Sequence, residues 1–186
     1  MTAALLDVEE KVATAVREQL GGAVEEVKVE RKGRISIVVR KETARDVAAW
    51  LHEMGFDHTV AVAGIDRLAE KRIEVIYFVS SFSRDDFKHI VLSLKVNLDR
   101  DNPSLQTLTP IWESANFFER EAYEMFGVNF EGHPNLQKLL LQDNWDGPPP
   151  LRKDFKIPEM AGVVHSGSER WSSASGLRPH EDHGQN

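Results

Sequence analysis

The chain has 186 residues, 30 of them acidic and 23 basic, a formal net charge of −7, and no cysteine. That length suits one domain with a core of its own. The missing cysteines exclude disulfides, thiolate nucleophiles and cysteine-held iron–sulfur clusters within this chain. Its basic residues are dispersed among acids, which argues against a nucleic-acid face built from clustered lysine and arginine.

Met1–Leu6 lacks the basic start and apolar core of a signal peptide. No run approaches the ~20 apolar residues that cross a bilayer. A soluble, intracellular protein is expected, with any membrane association arising through partners. Val8, Val12, Val16 and Leu20 recur every four residues and predict a first helix ending at Gly21-Gly22. Val27 and Val29 alternate with charged residues, Lys32-Gly33 turns the chain, and Ile35, Ile37 and Val39 alternate again, which predicts a hairpin. Thr43 and Asp46 resemble a capping box for a second helix with Val47, Leu51 and Met54 on its apolar face, stopped by Gly55. Three strands follow: His58–Ala63, Arg72–Ser80 and His89–Leu98, the last with the clearest period of two. Asp101-Asn102-Pro103 ends that pattern, because proline cannot donate to a ladder. The order helix, two strands, helix, three strands predicts an α+β fold: a single, mostly antiparallel sheet with helices packed on it.

The region from Ser114 to Phe155 carries the densest signals. Ser114 is placed to cap a helix, Phe118, Ala122 and Met125 form its apolar stripe, and Gly127 stands where a left-handed residue would stop it. Glu119, Arg120, Glu121 and Glu124 lie off that stripe, so an outward charged face is expected. Gly132-His133-Pro134 predicts a sharp turn before the apolar run Leu136, Leu139, Leu140 and Leu141. Gly147 and Pro148–Pro150 then stiffen the approach to Leu151-Arg152-Lys153-Asp154-Phe155. If that last segment is extended, Arg152 and Asp154 point the same way and Lys153 points away. Residues 156–186 hold few large apolar groups and many serines, glycines and charges, so they read as an extended C-terminal tail after a domain of residues 1–155.

A free-standing enzyme would have to use the acidic helix and His133. The helix, however, lacks the Glu-x-x-His spacing of inward metal ligands, and a histidine between Gly132 and Pro134 suits bonding to neighbouring backbone. His180-Glu181-Asp182-His183 has metal-like spacing but sits in a terminal segment. No glycine-rich phosphate loop is present. An adaptor domain outside any redox complex is an alternative to that enzyme.

Glu119-Arg120-Glu121, Tyr123-Glu124-Met125-Phe126-Gly127, Phe130-Glu131-Gly132-His133-Pro134 and Pro150-Leu151-Arg152-Lys153-Asp154-Phe155 follow one another in order. Together they closely resemble the signature of the 30-kilodalton-type subunit of respiratory complex I and of related energy-converting hydrogenase and dehydrogenase complexes. Pro148 and Pro149 stand where that family commonly has glycine and histidine. The resemblance implies a non-catalytic structural subunit of the hydrophilic arm of a membrane-bound NADH:quinone oxidoreductase-like complex. It implies a place on the cytoplasmic side of the membrane, with no cofactor on this chain. NADH or another donor, iron–sulfur clusters and quinone would be handled by partner subunits, among them a relative of the large subunit of nickel–iron hydrogenases. On the same basis the expected partner interface is Glu119, Arg120, Glu121, Tyr123, Phe126, Gly127, Gly132, His133, Pro134, Leu151, Arg152, Lys153, Asp154 and Phe155.

Overall fold

The structure, a computed structural model, describes residues 2–142 and 144–156, with side chains placed from Val8 onward. The tail beyond Lys156, with its His180–His183 cluster, lies outside the described residues. The first helix, α1 (Thr2–Leu20), is followed by the hairpin β1 (Val24–Arg31) and β2 (Arg34–Val39), and then by α2 (Ala44–Met54). Next come β3 (His58–Arg67), β4 (Arg72–Ser80) and β5 (Val91–Asp99), a short β6 (Ser104–Gln106), α3 (Ala115–Phe126) and a short β7 (Asn129–Glu131).

Five strands form one sheet in the order β1-β2-β5-β4-β3. Every neighbouring pair is antiparallel except β2 with β5, which run parallel. The alternation seen in the sequence decides which face is buried. Ile37, Leu94, Tyr77 and Val62 lie opposite one another across four strands and form one buried row. Val12 and Val16 of α1, Val47 and Leu51 of α2, and Ala115 and Ala122 of α3 join the same core. A row of Ser36, Ser93, Phe78 and Ala61 runs across the other face. The result is a two-layer α+β body with its helices on one side of the sheet.

The expected elements are all present, and the differences have local causes. β3 runs four residues beyond Ala63, pairing with β4 as far as Arg67 opposite Arg72. Gly64 reads as a strand end in the sequence. It is there because the Phe126 ring of α3 lies directly over it: a Cβ at Gly64 would come within 2.4 Å of Phe126 Cδ2. Alanine at 64 would displace that ring and the end of α3 with it, so Gly64→Ala is expected to cost roughly 1–3 kcal/mol of stability. Phe126→Leu should recover part of the loss. A melt showing Gly64→Ala unchanged would contradict this packing.

β6 and β7, which pair parallel, carry no readable pattern at three residues each. Two capping expectations are corrected. Thr43 makes no side-chain cap to α2, and its hydroxyl donates instead to the Ala23 carbonyl at 2.8 Å. Ser114 likewise makes no cap to α3; its Oγ accepts the Thr59 N–H of β3 at 3.1 Å, tying the helix start to the sheet edge. The glycine stops hold: Gly55 and Gly127 take left-handed φ values of 116° and 75°, which only glycine adopts without strain.

Candidate functional site

α3 lies over the β3 side of the sheet, and its polar side chains divide between two tasks. Glu119, expected on an outward charged face, is fully buried. Burial of this kind is tolerated only when a carboxylate is amply hydrogen-bonded. Its Oε1 accepts the Tyr77 hydroxyl at 2.8 Å and the Leu108 N–H at 2.9 Å, while Oε2 accepts the Thr107 hydroxyl at 2.5 Å. One side chain thus ties α3 to the sheet and to the chain leaving β6. Burial pushes the Glu119 carboxyl above its ordinary value, against the opposing pull of the Thr107, Leu108 and Tyr77 donors. Burial and the neighbouring Glu119 charge likewise raise the Tyr77 phenol well above its ordinary value.

His133 closes the same cluster. Its Nδ1 accepts the Asn135 N–H at 3.0 Å, which places the ring proton on Nε2. Nε2 donates to the Asn116 carbonyl at 3.2 Å and lies 4.0 Å from Glu119 Oε2. The turn histidine therefore bonds backbone, as the sequence suggested. Both side chains are 0% exposed, so a substrate has no access to this pair.

The second task belongs to Arg120 and Glu124, four residues apart on α3. The Arg120 guanidinium donates to the carbonyls of Gln137 and Lys138, at 3.0 and 2.9 Å. The Glu124 carboxylate, nearly buried, accepts the N–H groups of Leu140 and Leu141 at 2.9 and 2.6 Å. A cation takes the loop's carbonyls and an anion takes its amides, which fixes an otherwise irregular segment against the helix. Arg120 also lies over the Phe117 ring, 5.7 Å from its centroid. Three large apolar side chains of this helix and loop stand in solvent: Phe117 is 62% exposed, Leu140 63% and Leu139 38%.

The final segment departs from the extended geometry expected of it. Leu151–Phe155 folds in turns onto the sheet and the end of α3. The Leu151 N–H donates to the Met125 carbonyl at 3.0 Å, and Arg152 Nε donates to the Phe126 carbonyl at 2.8 Å. Leu151 and Arg152 therefore satisfy one carbonyl each at the α3 C-terminus. Asp154 accepts from Arg100 at 2.6 Å, and Arg100 also grips the buried Asp66 through two bonds of 2.8 and 3.0 Å. The Lys153 N–H donates to Asp66 Oδ2 at 2.8 Å. Arg152 and Asp154 thus reach different partners inside the chain. Arg152→Ala should therefore cost the isolated chain about 1 kcal/mol, the worth of a lost cap, which a thermal melt would read.

Arg100 hydrogen-bonded to Asp66 and Asp154 holds both carboxyls below their ordinary 3.8. A depressed carboxylate contributes stability that is complete above its unfolded value and lost as pH falls through the lower folded one. Asp66→Asn should therefore melt several degrees below the parent at about pH 6, with the difference closing toward about pH 3. A difference independent of pH would contradict the ion-pair anchor.

Of the other expected interface residues, Glu121, Gly132, Pro134, Leu151 and Lys153 are exposed, while Tyr123, Phe126, Gly127 and Phe155 are partly covered. Sequence reasoning missed Tyr77, Thr107, Asp66 and Arg100, whose roles depend on pairing across 34 residues or more for the last two. It named Leu139 and Leu140 as an apolar run without assigning them a surface. Among the described residues no three metal-ligating side chains converge, and no helix is long and apolar enough to cross a membrane.

These features define an assembly-type α+β module, in which charged side chains fix loops internally and an apolar surface is displayed. The chain belongs to the family of the respiratory-chain NADH dehydrogenase 30 Kd subunit, whose model matches residues 37–161. It is 36% identical over 135 residues to the C-type subunit of the F(420)H(2) dehydrogenase of Methanosarcina mazei, covering 72% of this chain and 83% of that protein. It is 40% identical over 132 residues to the C-type subunit of the NADH-quinone oxidoreductase of a Roseiflexus species, covering 69% and 73%. A solved trypsin-resistant fragment of Nqo5 matches with a TM-score of 0.59 and 30% identity, over 69% of this chain and 99% of the fragment. A chain of the membrane-bound sulfane sulfur reductase, an archaeal respiratory membrane complex, matches with a TM-score of 0.70 and 26% identity, over 80% and 86%.

Proposed function

We propose that this chain is a non-catalytic structural subunit of the hydrophilic arm of a complex I-like, membrane-bound oxidoreductase. It packs against a subunit related to the large subunit of nickel–iron hydrogenases and beside iron–sulfur subunits, on the cytoplasmic side of the membrane. The donor (NADH or another), the iron–sulfur clusters and the quinone or related acceptor are handled by those partners, and this chain carries no cofactor.

The observation that carries the reading is the clamp formed by Arg120 and Glu124. Its charges are engaged with loop backbone, and the loop so fixed presents Leu139 and Leu140 to solvent, while Phe117 on the same helix is exposed as well. Large apolar and aromatic groups held rigidly in solvent are what a partner contact uses. Electron transfer falls steeply with distance, so a rigid subunit that holds its neighbours in register contributes without reacting. The membership of its relatives in respiratory complexes supports the same role.

Deleting the gene should abolish the electron transfer of the membrane complex to its acceptor, and the purified chain alone should catalyse none. Full activity in membranes lacking the chain would overturn the reading.

A further inference from the structure

We propose that the outer edge of β6, with the groove beside it, takes an extended segment of a partner chain as an added strand, guided by a basic side chain. The proposal rests on the reading of this chain as a subunit and names a contact apart from the Phe117–Leu140 surface. In a parallel ladder, alternate residues direct their backbone groups toward the neighbouring strand. The Asn129 N–H donates to the Pro103 carbonyl at 2.8 Å and the Thr107 N–H to the Glu131 carbonyl at 3.0 Å. Residues 103, 105 and 107 therefore face β7, and the N–H and C=O groups of Ser104 and Gln106 face the other way. Among the described residues no hydrogen bond takes up those outward groups.

The other strand edges are partly capped. The Val27 carbonyl of β1 accepts the Arg17 guanidinium at 2.9 Å, the Thr59 N–H of β3 is taken by Ser114, and the Phe130 carbonyl of β7 accepts the His133 N–H at 3.2 Å. Uncapped edges are templates for strand addition, and folded proteins usually blunt them. Beside β6 runs a groove of roughly 290 Å³ lined by Lys41, Glu42, Ser104 and Gln106 and, from β7, by Glu131. Its far wall is the turn between β2 and α2. That size, at the low end for binding sites, suits a short extended stretch of chain. Glu42 and Glu131 outnumber Lys41 and are exposed, so the groove favours a lysine or arginine on the incoming strand. Backbone bonds to Ser104 and Gln106 would supply affinity, and the acidic lining would supply selection.

Hydrogen exchange tests this directly. In the isolated chain the amides of Ser104 and Gln106 should exchange nearly freely, while that of Leu105, bonded within the ladder, is protected. In the assembled complex Ser104 and Gln106 should slow by about 100-fold or more, as for strand amides. Gln106→Pro, which removes one outward N–H, and Glu131→Lys, which reverses a lining charge, should each lower recovery of partners about tenfold. Glu131→Lys alters an exposed side chain, so it remains informative if the proline variant folds poorly. If partners assemble and the two amides exchange as fast as before, the strand proposal fails and the subunit reading stands. Protection of both amides in the isolated chain also sinks it. If no partner is recovered with the parent chain, both fail.

Discussion

Replacing Glu119 by alanine is expected to lower the melting temperature of the isolated chain by about 10 °C, and glutamine by only a small part of that. Alanine leaves the Tyr77 hydroxyl and the Leu108 N–H without an acceptor inside the protein, each at a cost of about 1–3 kcal/mol. Thr107 escapes lightly, because its hydroxyl already lies 2.9 Å from Thr109 Oγ1. A total near 4 kcal/mol corresponds to roughly 10 °C in a domain of this size. Glutamine keeps one carbonyl oxygen for Tyr77 and Leu108 and places its amide NH2 beside the Thr107 oxygen, so the network persists without a buried charge. The pH dependence adds a second readout. The folded-state value of this carboxyl is raised above the ordinary 4.5. The unfolded chain therefore ionises first, and the group's contribution to stability falls as pH rises from about 4.5 through the folded value. Glu119→Gln should remove that decline. Equal melting temperatures for the alanine variant and the parent would show that the network contributes nothing to the fold.

The second large effect concerns assembly. Phe117→Asp combined with Leu140→Asp should leave the melting temperature of the isolated chain within about 2 °C of the parent, since exposed substitutions rarely exceed ±0.5 kcal/mol. The same pair should weaken incorporation into the complex by at least about 30-fold. That figure corresponds to the 2 kcal/mol or more lost when a buried interface anchor is replaced, and here a charge is also buried without a partner. Glu121→Ala, on the neighbouring exposed position, should have a small effect. If the double variant assembles normally, the apolar display is plain solvent surface and another face carries the contact.

Much of the fold was legible because its signals are local. Period-two runs such as Ile73, Val75, Tyr77 and Val79 specify a strand and the face it buries, and Gly33, Gly55 and Gly127 mark stops and turns that demand positive φ. What the sequence withheld was long-range. The parallel pairing of β2 with β5 joins segments more than fifty residues apart, and nothing local distinguishes it from an antiparallel neighbour. β6 and β7 are too short for a period to show. The placement of Glu119 was missed for a related reason. Glu119 lies off the apolar stripe of α3 and so reads as a solvated acid, yet donors from Tyr77, Thr107 and Leu108 converge on it from distant stretches. Arg152 and Asp154 read as a pair facing one way because their separate acceptor and donor, the Phe126 carbonyl and Arg100, lie 26 and 54 residues away. The motif that identifies the family thus mixes internal anchors such as Glu119 and Arg152 with exposed positions such as Glu121, Pro134 and Lys153.

The most direct measurement is recovery of the affinity-tagged full chain from detergent-solubilised membranes of the cell that makes it, with its companions identified and counted by mass spectrometry. The expected result is a stable assembly holding, one to one with this chain, a subunit related to the large subunit of nickel–iron hydrogenases, together with iron–sulfur subunits. Recovery of the chain alone, or with companions of no redox type, would contradict it.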